Sequence, residues 1–169
     1  MFNPKVTVII LSYNQDEYIA DAIQSVIEQT YNNLEIIISD NGSTDNSKEI
    51  IREFLELDSR INFLDYTENY KITVRQNKAA QISTGDFISL LYGDDYYLPN
   101  KIERQIDAFK NLSLDWGVVH GPGFREDVKT LKRSLAPATK VHGESLLDLL
   151  ENFSDGFINP ISPLVRREC

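Results

Sequence analysis

The sequence predicts an α/β fold: a Rossmann-like, mostly parallel sheet with helices on both faces. Two apolar runs, Val6 to Leu11 and Leu34 to Ser39, are continuous rather than alternating, which suits strands covered on both faces. Between them Tyr18, Ile19, Ala22, Ile23, Val26 and Ile27 fall on one helical face. The same strand-to-helix alternation then recurs along the chain, the pattern of parallel βαβ units.

The later elements follow from the same periodicities. Ile50, Ile51, Phe54 and Leu55 mark a second helix after the turn Asn41-Gly42-Ser43, and Ile61 to Tyr66 a third strand. Ile72 to Ser83 reads as a third helix closed by Gly85, and Phe87 to Leu91 as a fourth strand. Pro99 suits a first helical turn, and Ile102, Ile106 and Phe109 give that helix its stripe. Trp116 to His120 is a fifth strand. Gly121 to Lys140 shows no period and reads as an irregular surface excursion, followed by a short helix from Glu144 to Phe153. Gly156 to Arg167 looks extended, but Pro160 and Pro163 restrict it to an edge or irregular strand.

Composition narrows the functions. With 169 residues and no linker or repeat, residues 1–169 are expected to form one domain. Seventeen basic against 26 acidic residues leave a net charge of −9, which argues against a nucleic-acid partner. Cys169 is the only cysteine, so an internal disulfide is excluded and a reducing, cytoplasmic setting fits. No apolar run approaches the ~18 residues of a membrane span. His120 and His142 have no partner at metal-ligand spacing and receive no role.

Ligands of such a sheet collect beyond the carboxyl ends of the strands. The loops there are Ser12-Tyr13-Asn14-Gln15-Asp16, Asp40-Asn41-Gly42-Ser43-Thr44-Asp45 and Tyr92-Gly93-Asp94-Asp95. None contains a glycine-rich or Gly-Lys-Ser/Thr phosphate cradle. Asp94 and Asp95 offer hard oxygen ligands to Mg²⁺ or Mn²⁺, whose shell substrate phosphates and water complete. Taken singly, the same pair suits helix capping, Asp40-Asn41-Gly-Ser suits a turn, and Tyr13 suits packing.

In order, these pieces resemble the N-terminal part of family 2 glycosyltransferases, which have the GT-A fold. The resemblance rests on Val6 to Asn14 with Glu17-Tyr18, Gln29-Thr30-Tyr31, Glu35 to Asp45, Asn77, Ala80, Gly85 to Ile88, Asp94-Asp95 and Leu98-Pro99. It implies a nucleotide-sugar site built from Ser12, Tyr13, Asn14, Glu17, Asp40, Asn41, Arg75, Gln76, Gly93 and Asp94. Tyr13 would pack on the base with Asp40 and Asn41 bordering it. Asp94 would ligate Mn²⁺ or Mg²⁺ on the diphosphate, and Asp95 would order the loop or share the metal. Uridine diphosphate sugars are the commonest donors of this family. The implied reaction is one displacement at the anomeric carbon with inversion, delivering the sugar to a glycan or lipid-linked acceptor.

Asn41 replaces a frequent second aspartate, Tyr92 stands where many members have another, and Arg75-Gln76-Asn77 replaces an arginine directly before the asparagine. The acidic general-base motif is expected beyond Cys169, in a longer protein that associates peripherally with a membrane. The alternative is an inactive nucleotide- or partner-binding module of the same fold.

Overall fold

The structure, a computed structural model, describes residues 2–136, 161 and 163–168. Its elements are β1 (Val6–Ser12), α1 (Ile19–Ile27), β2 (Leu34–Asp40), α2 (Ser47–Leu57), β3 (Ile61–Asp65), α3 (Ile72–Ile82), β4 (Phe87–Tyr92), α4 (Lys101–Phe109), β5 (Val118–Val119), β6 (Gly123–Glu126), β7 (Arg133–Ala136) and β8 (Leu164–Arg166). Six strands form one sheet in the order β3-β2-β1-β4-β8-β5. β1 pairs in parallel with both β2 and β4, and β2 with β3. Among the described residues no helix is long and apolar enough to cross a membrane.

The continuous apolar character of β1 reflects burial on two sides, as the sequence predicts. Val6, Val8 and Ile10 face a cluster containing Ile19, Ala22, Ile23 and Val26 of α1, Ile51 of α2, and Ile102, Ile106 and Phe109 of α4. Ile9 and Leu11 face the other way, toward Ile37 and Ala79 of α3. A fully buried side chain of this size contributes roughly 1.5–3 kcal/mol, so the central strand is held from both faces. Helix α1 has no side-chain cap, and its apolar stripe, not its ends, fixes it to the sheet.

Two expectations are corrected in the last third. The excursion from Gly121 contains a hairpin, β6 with β7, registered Phe124↔Leu135 and Glu126↔Arg133. Four-residue strands are too short to show a period. Their turn is set by Asp127, whose carboxylate accepts from the backbone of Lys129 and Thr130 at 3.1 and 2.8 Å. The final strand is not at an edge: β8 lies between β4 and β5, antiparallel to both. It is short enough that Pro163 falls just before it, so no ladder bond is lost. Strand five shortens to Val118–Val119. The helix expected from Glu144 to Phe153 lies outside the described residues.

At the amino end of the sheet, Gly85 lets the chain return from α3 to β4. Its N–H donates to Thr7 Oγ1 at 3.0 Å, and a Cβ there would stand 2.6 Å from both the backbone nitrogen and Oγ1 of Thr7. Thr7 in turn donates to Glu35, which also accepts from the backbone and hydroxyl of Thr84. Burial pushes the Glu35 carboxyl up, but these donations outweigh it and hold it below the usual carboxylate range. Gly85→Ala is therefore expected to destabilise the protein by roughly 1–3 kcal/mol, since backbone cannot yield as a flexible side chain does. A lowered urea midpoint with unchanged slope would show it.

Candidate functional site

Parallel register brings the predicted loops together. Ser12 lies opposite Asp40, and Leu11 opposite Tyr92, so β1, β2 and β4 end in one row. The ladder continues one step beyond, with Gly93 N donating to Leu11 O at 2.9 Å and Asn41 N to Ser12 O at 2.9 Å. Over this edge opens a cleft of about 360 Å³ lined by Leu11, Ser12, Tyr13, Gln15, Ile72, Arg75, Tyr92, Asp94 and Asp95. A groove of about 440 Å³ lies elsewhere, against Tyr66, Tyr70, Val74, Asn77, Lys78 and Gln81. That second groove has no carboxylate, so the chemistry belongs to the first.

The cleft contains charge that the protein does not compensate. Among the described residues neither Asp94 nor Asp95 has a hydrogen-bonding or ionic partner for its side chain. Burial pushes the Asp95 carboxyl up, and the neighbouring charge of Asp94 pushes it further the same way. Opposite stands Arg75, 2% exposed, which donates through Nη1 to the carbonyls of Ser39 at 2.7 Å and Ser12 at 3.3 Å. Burial lowers the Arg75 guanidinium, with Asp40 and Tyr66 acting against that. Its Nε is buried without a partner, as are Ser12 Oγ and Gln15 Oε1. Buried polar atoms are normally satisfied, and three orphans on residues that line one cleft leave polar capacity there for a ligand.

Asp40, Asn41 and Asn14 do not line the cleft and are bonded within and between the loops around it. Asp40 is fully buried, accepts from Ser43 N at 2.8 Å and from the Ser43 hydroxyl, and has Lys48 Nζ at 3.9 Å. Asn41 accepts from Tyr70 N at 2.8 Å and donates to Asn69 Oδ1 and Tyr70 O at 2.8 and 2.9 Å. Asn14 adopts a positive φ of 50° and ties the first two loops together: its N–H donates to Ser43 Oγ and its Oδ1 accepts from Thr44 N. Glu17 is exposed and Gln76 half-buried, and neither lines the cleft.

Sequence reading passed over Gln15. It stands between loop positions that carry chemistry, and only the packing shows that a Cβ on Gly93 would collide with its Oε1 and come within 3.1 Å of Ile19 Cδ1. Gly93 is thus small because the Gln15 side chain fills the space beneath the carboxylate loop.

Two carboxylates without a cation, one of them half-buried, fit a divalent metal. The described residues hold no group of three or more His, Cys, Asp or Glu that could bind one. A cation here would use one or two carboxylates and draw its other ligands from substrate and water, the habit of Mg²⁺ and Mn²⁺.

Comparisons with known proteins identify the fold and the family. A mannosyltransferase of Pyrobaculum calidifontis, solved with GDP-mannose and Mn²⁺, superposes with a TM-score of 0.64 at 22% identity, over 78% of this chain and 38% of that one. TarS 1–349 of S. aureus, solved with UDP, gives 0.67 at 19% identity, over 96% and 47%. The GT-A fold class is thereby established. Among sequences, TuaG of Bacillus subtilis, provisionally assigned to teichuronic acid biosynthesis, is 35% identical over 66% of this chain and 44% of its own length. Glycosyltransferase GlyA of Streptococcus pneumoniae is 34% identical over 75% and 18%, and glycosyltransferase RC0461 of Rickettsia conorii 31% identical over 96% and 30%. The chain therefore spans less than half the length of these relatives. The model of glycosyl transferase family 2 matches residues 7–168, nearly the whole sequence, and with the motif-bearing loops in register the chain belongs to that family.

Proposed function

We propose that this chain binds the donor of a glycosyl transfer: a nucleoside diphosphate sugar, with uridine the first candidate, held through a divalent cation. The observation that carries this is the pairing, in one cleft, of uncompensated Asp94 and Asp95 with the orphaned Arg75 Nε and Ser12 Oγ. A metal-bound diphosphate supplies both signs of charge such a site lacks. Asp94 and Asp95 would hold the cation, which neutralises the charge developing on the departing diphosphate. Ser12 and Arg75 would bind ribose and phosphate oxygens, and exposed Tyr13 would cover the base. Asp40, Asn41 and Asn14 would hold the loops in place. Gln15 would fix the floor under Gly93.

UDP and GDP-mannose in the neighbours support nucleotide-sugar donors as a class, and the uridine preference rests on the family resemblance. Residues 1–169 would act as one nucleotide-sugar-binding unit of a longer transferase. Its acceptor would be a bacterial glycan or lipid-linked saccharide, and the displacement would proceed with inversion.

Calorimetric titration of UDP, with GDP as control, is expected to give heat only when Mn²⁺ or Mg²⁺ is present. Binding that ignores the metal would overturn the reading. Asp95→Asn is expected to abolish the metal-dependent part while raising the melting temperature at pH 7. The sign follows from the raised Asp95 carboxyl: its ionisation penalises the folded state increasingly as pH climbs past the unfolded value, and fully above the folded one. The variant's stability advantage should accordingly fade toward acid pH, where both states are protonated.

Gly93→Ala should weaken UDP binding by pushing the Gln15 side chain into the cleft. Adding Gln15→Ala should recover part of that loss, a coupling that a double-mutant cycle measures directly. Strict additivity of the two would remove Gln15 from the floor of the site.

A further inference from the structure

The loop bearing Asp94 and Asp95 is tethered from behind by the C-terminal end of α1. Ser25 Oγ accepts the Tyr97 N–H at 3.0 Å. Gln29, 4% exposed, donates through Nε2 to Leu98 O at 2.8 Å and Ser25 O at 3.0 Å, and its Oε1 accepts the Ile102 N–H at 3.1 Å. The Thr30 N–H donates to Pro99 O at 2.9 Å. One helix end thus fastens backbone groups at Tyr97, Leu98, Pro99 and Ile102, immediately after the paired carboxylates. None of Ser25, Gln29 and Thr30 lines the cleft.

We infer that Gln29, with Ser25, is a positioning residue for the metal site: it holds the carboxylate loop in its metal-ready form before any ligand arrives. The inference rests on the donor-site reading above. Two adjacent carboxylates repel, and desolvation of Asp95 adds to the tendency of the loop to swing its charge into water. Among the described residues no side chain bonds either carboxylate, and Arg75 across the cleft is turned to the Ser12 and Ser39 carbonyls. Resistance has to come from the backbone, and a buried amide supplies it with two bonds, to Leu98 O and from the Ile102 N–H, while its third, to Ser25 O, ties the amide to α1. A second anchor lies on the far side, where the buried Tyr97 hydroxyl bonds Leu90 O at 2.5 Å and shares a 2.8 Å bond with Ser89 Oγ. Tyr97 is therefore held at both its backbone and its ring, and the two residues preceding Tyr96 inherit that fixity.

Two variants test this. Gln29→Met keeps length and volume without hydrogen bonding, and Ser25→Ala deletes the acceptor for the Tyr97 N–H together with the hydroxyl's 2.8 Å donation to Ala22 O. Each is compared with the unaltered protein for the Mn²⁺ concentration giving half-maximal UDP binding, for UDP affinity at saturating Mn²⁺, and for hydrogen exchange at the Tyr97 amide. The metal midpoint is expected to rise about ten- to a hundredfold in Gln29→Met, the range seen when groups supporting metal ligands are removed. UDP affinity at saturating Mn²⁺ should stay unchanged and exchange at Tyr97 should quicken. General loosening of the fold would weaken UDP binding even at saturating metal, which would overturn the inference. So would an unchanged midpoint in either folded variant, and if Gln29→Met fails to fold, Ser25→Ala decides. Silence of the unaltered protein toward UDP with Mn²⁺ would refute the donor-site reading instead, and the inference with it.

Discussion

Much of this structure depends on a buried cation without a carboxylate in contact. Arg75 enters the core from α3 and is satisfied by two strand-end carbonyls, those of Ser12 and Ser39. Burying a charge is costly unless hydrogen bonds and opposing charge surround it. The carbonyls at the ends of β1 and β2 supply part of that, and the Asp40 charge helps to keep the guanidinium protonated. The contact also locks α3 over the strand ends, which gives the cleft one wall. Arg75 Nε is buried without a partner, and on the proposed reading a ligand oxygen would complete its bonding.

The carboxylates on the other rim present the opposite deficit. On the proposed reading an anion carrying its own metal would answer both deficits at once, and electrostatics more than shape would select the ligand class in an otherwise acidic protein.

Much of the fold was legible in the sequence because the central strands are apolar on both faces and the helices between them keep one stripe. Val6, Ile9 and Ile10 leave no choice about which side is inside, since both are. Legibility fell where elements are too short for a period. The hairpin at Gly123–Glu126 and Arg133–Ala136 depends on a turn built around Asp127, and β8 takes an inner place because a three-residue strand avoids the prolines before it. In the site, the loops and their acidic residues were visible, since strand ends announce them. What sequence could not show was which polar atoms are already spent. Asp40 and Gln15 are both polar residues at or just beyond strand ends, yet one is bonded within its own turn and the other has a buried oxygen without a partner beneath Gly93.

That distinction between spent and free groups bears on how a base would be read. Asn41 uses both amide protons, on Asn69 and Tyr70, and one of its acceptor lone pairs on the Tyr70 N–H. It retains one acceptor position and no donor. An aspartate there would have kept more acceptor capacity but could not have made the two donations that fasten residues 69 and 70. The substitution thus trades reading capacity for a fixed loop, and Tyr70 is brought to 5.7 Å from the Tyr66 ring as a result. On the donor-site reading, discrimination between bases would then fall less to Asn41 than to the shape of the wall that this loop presents, a property of backbone placement more than of any single side chain.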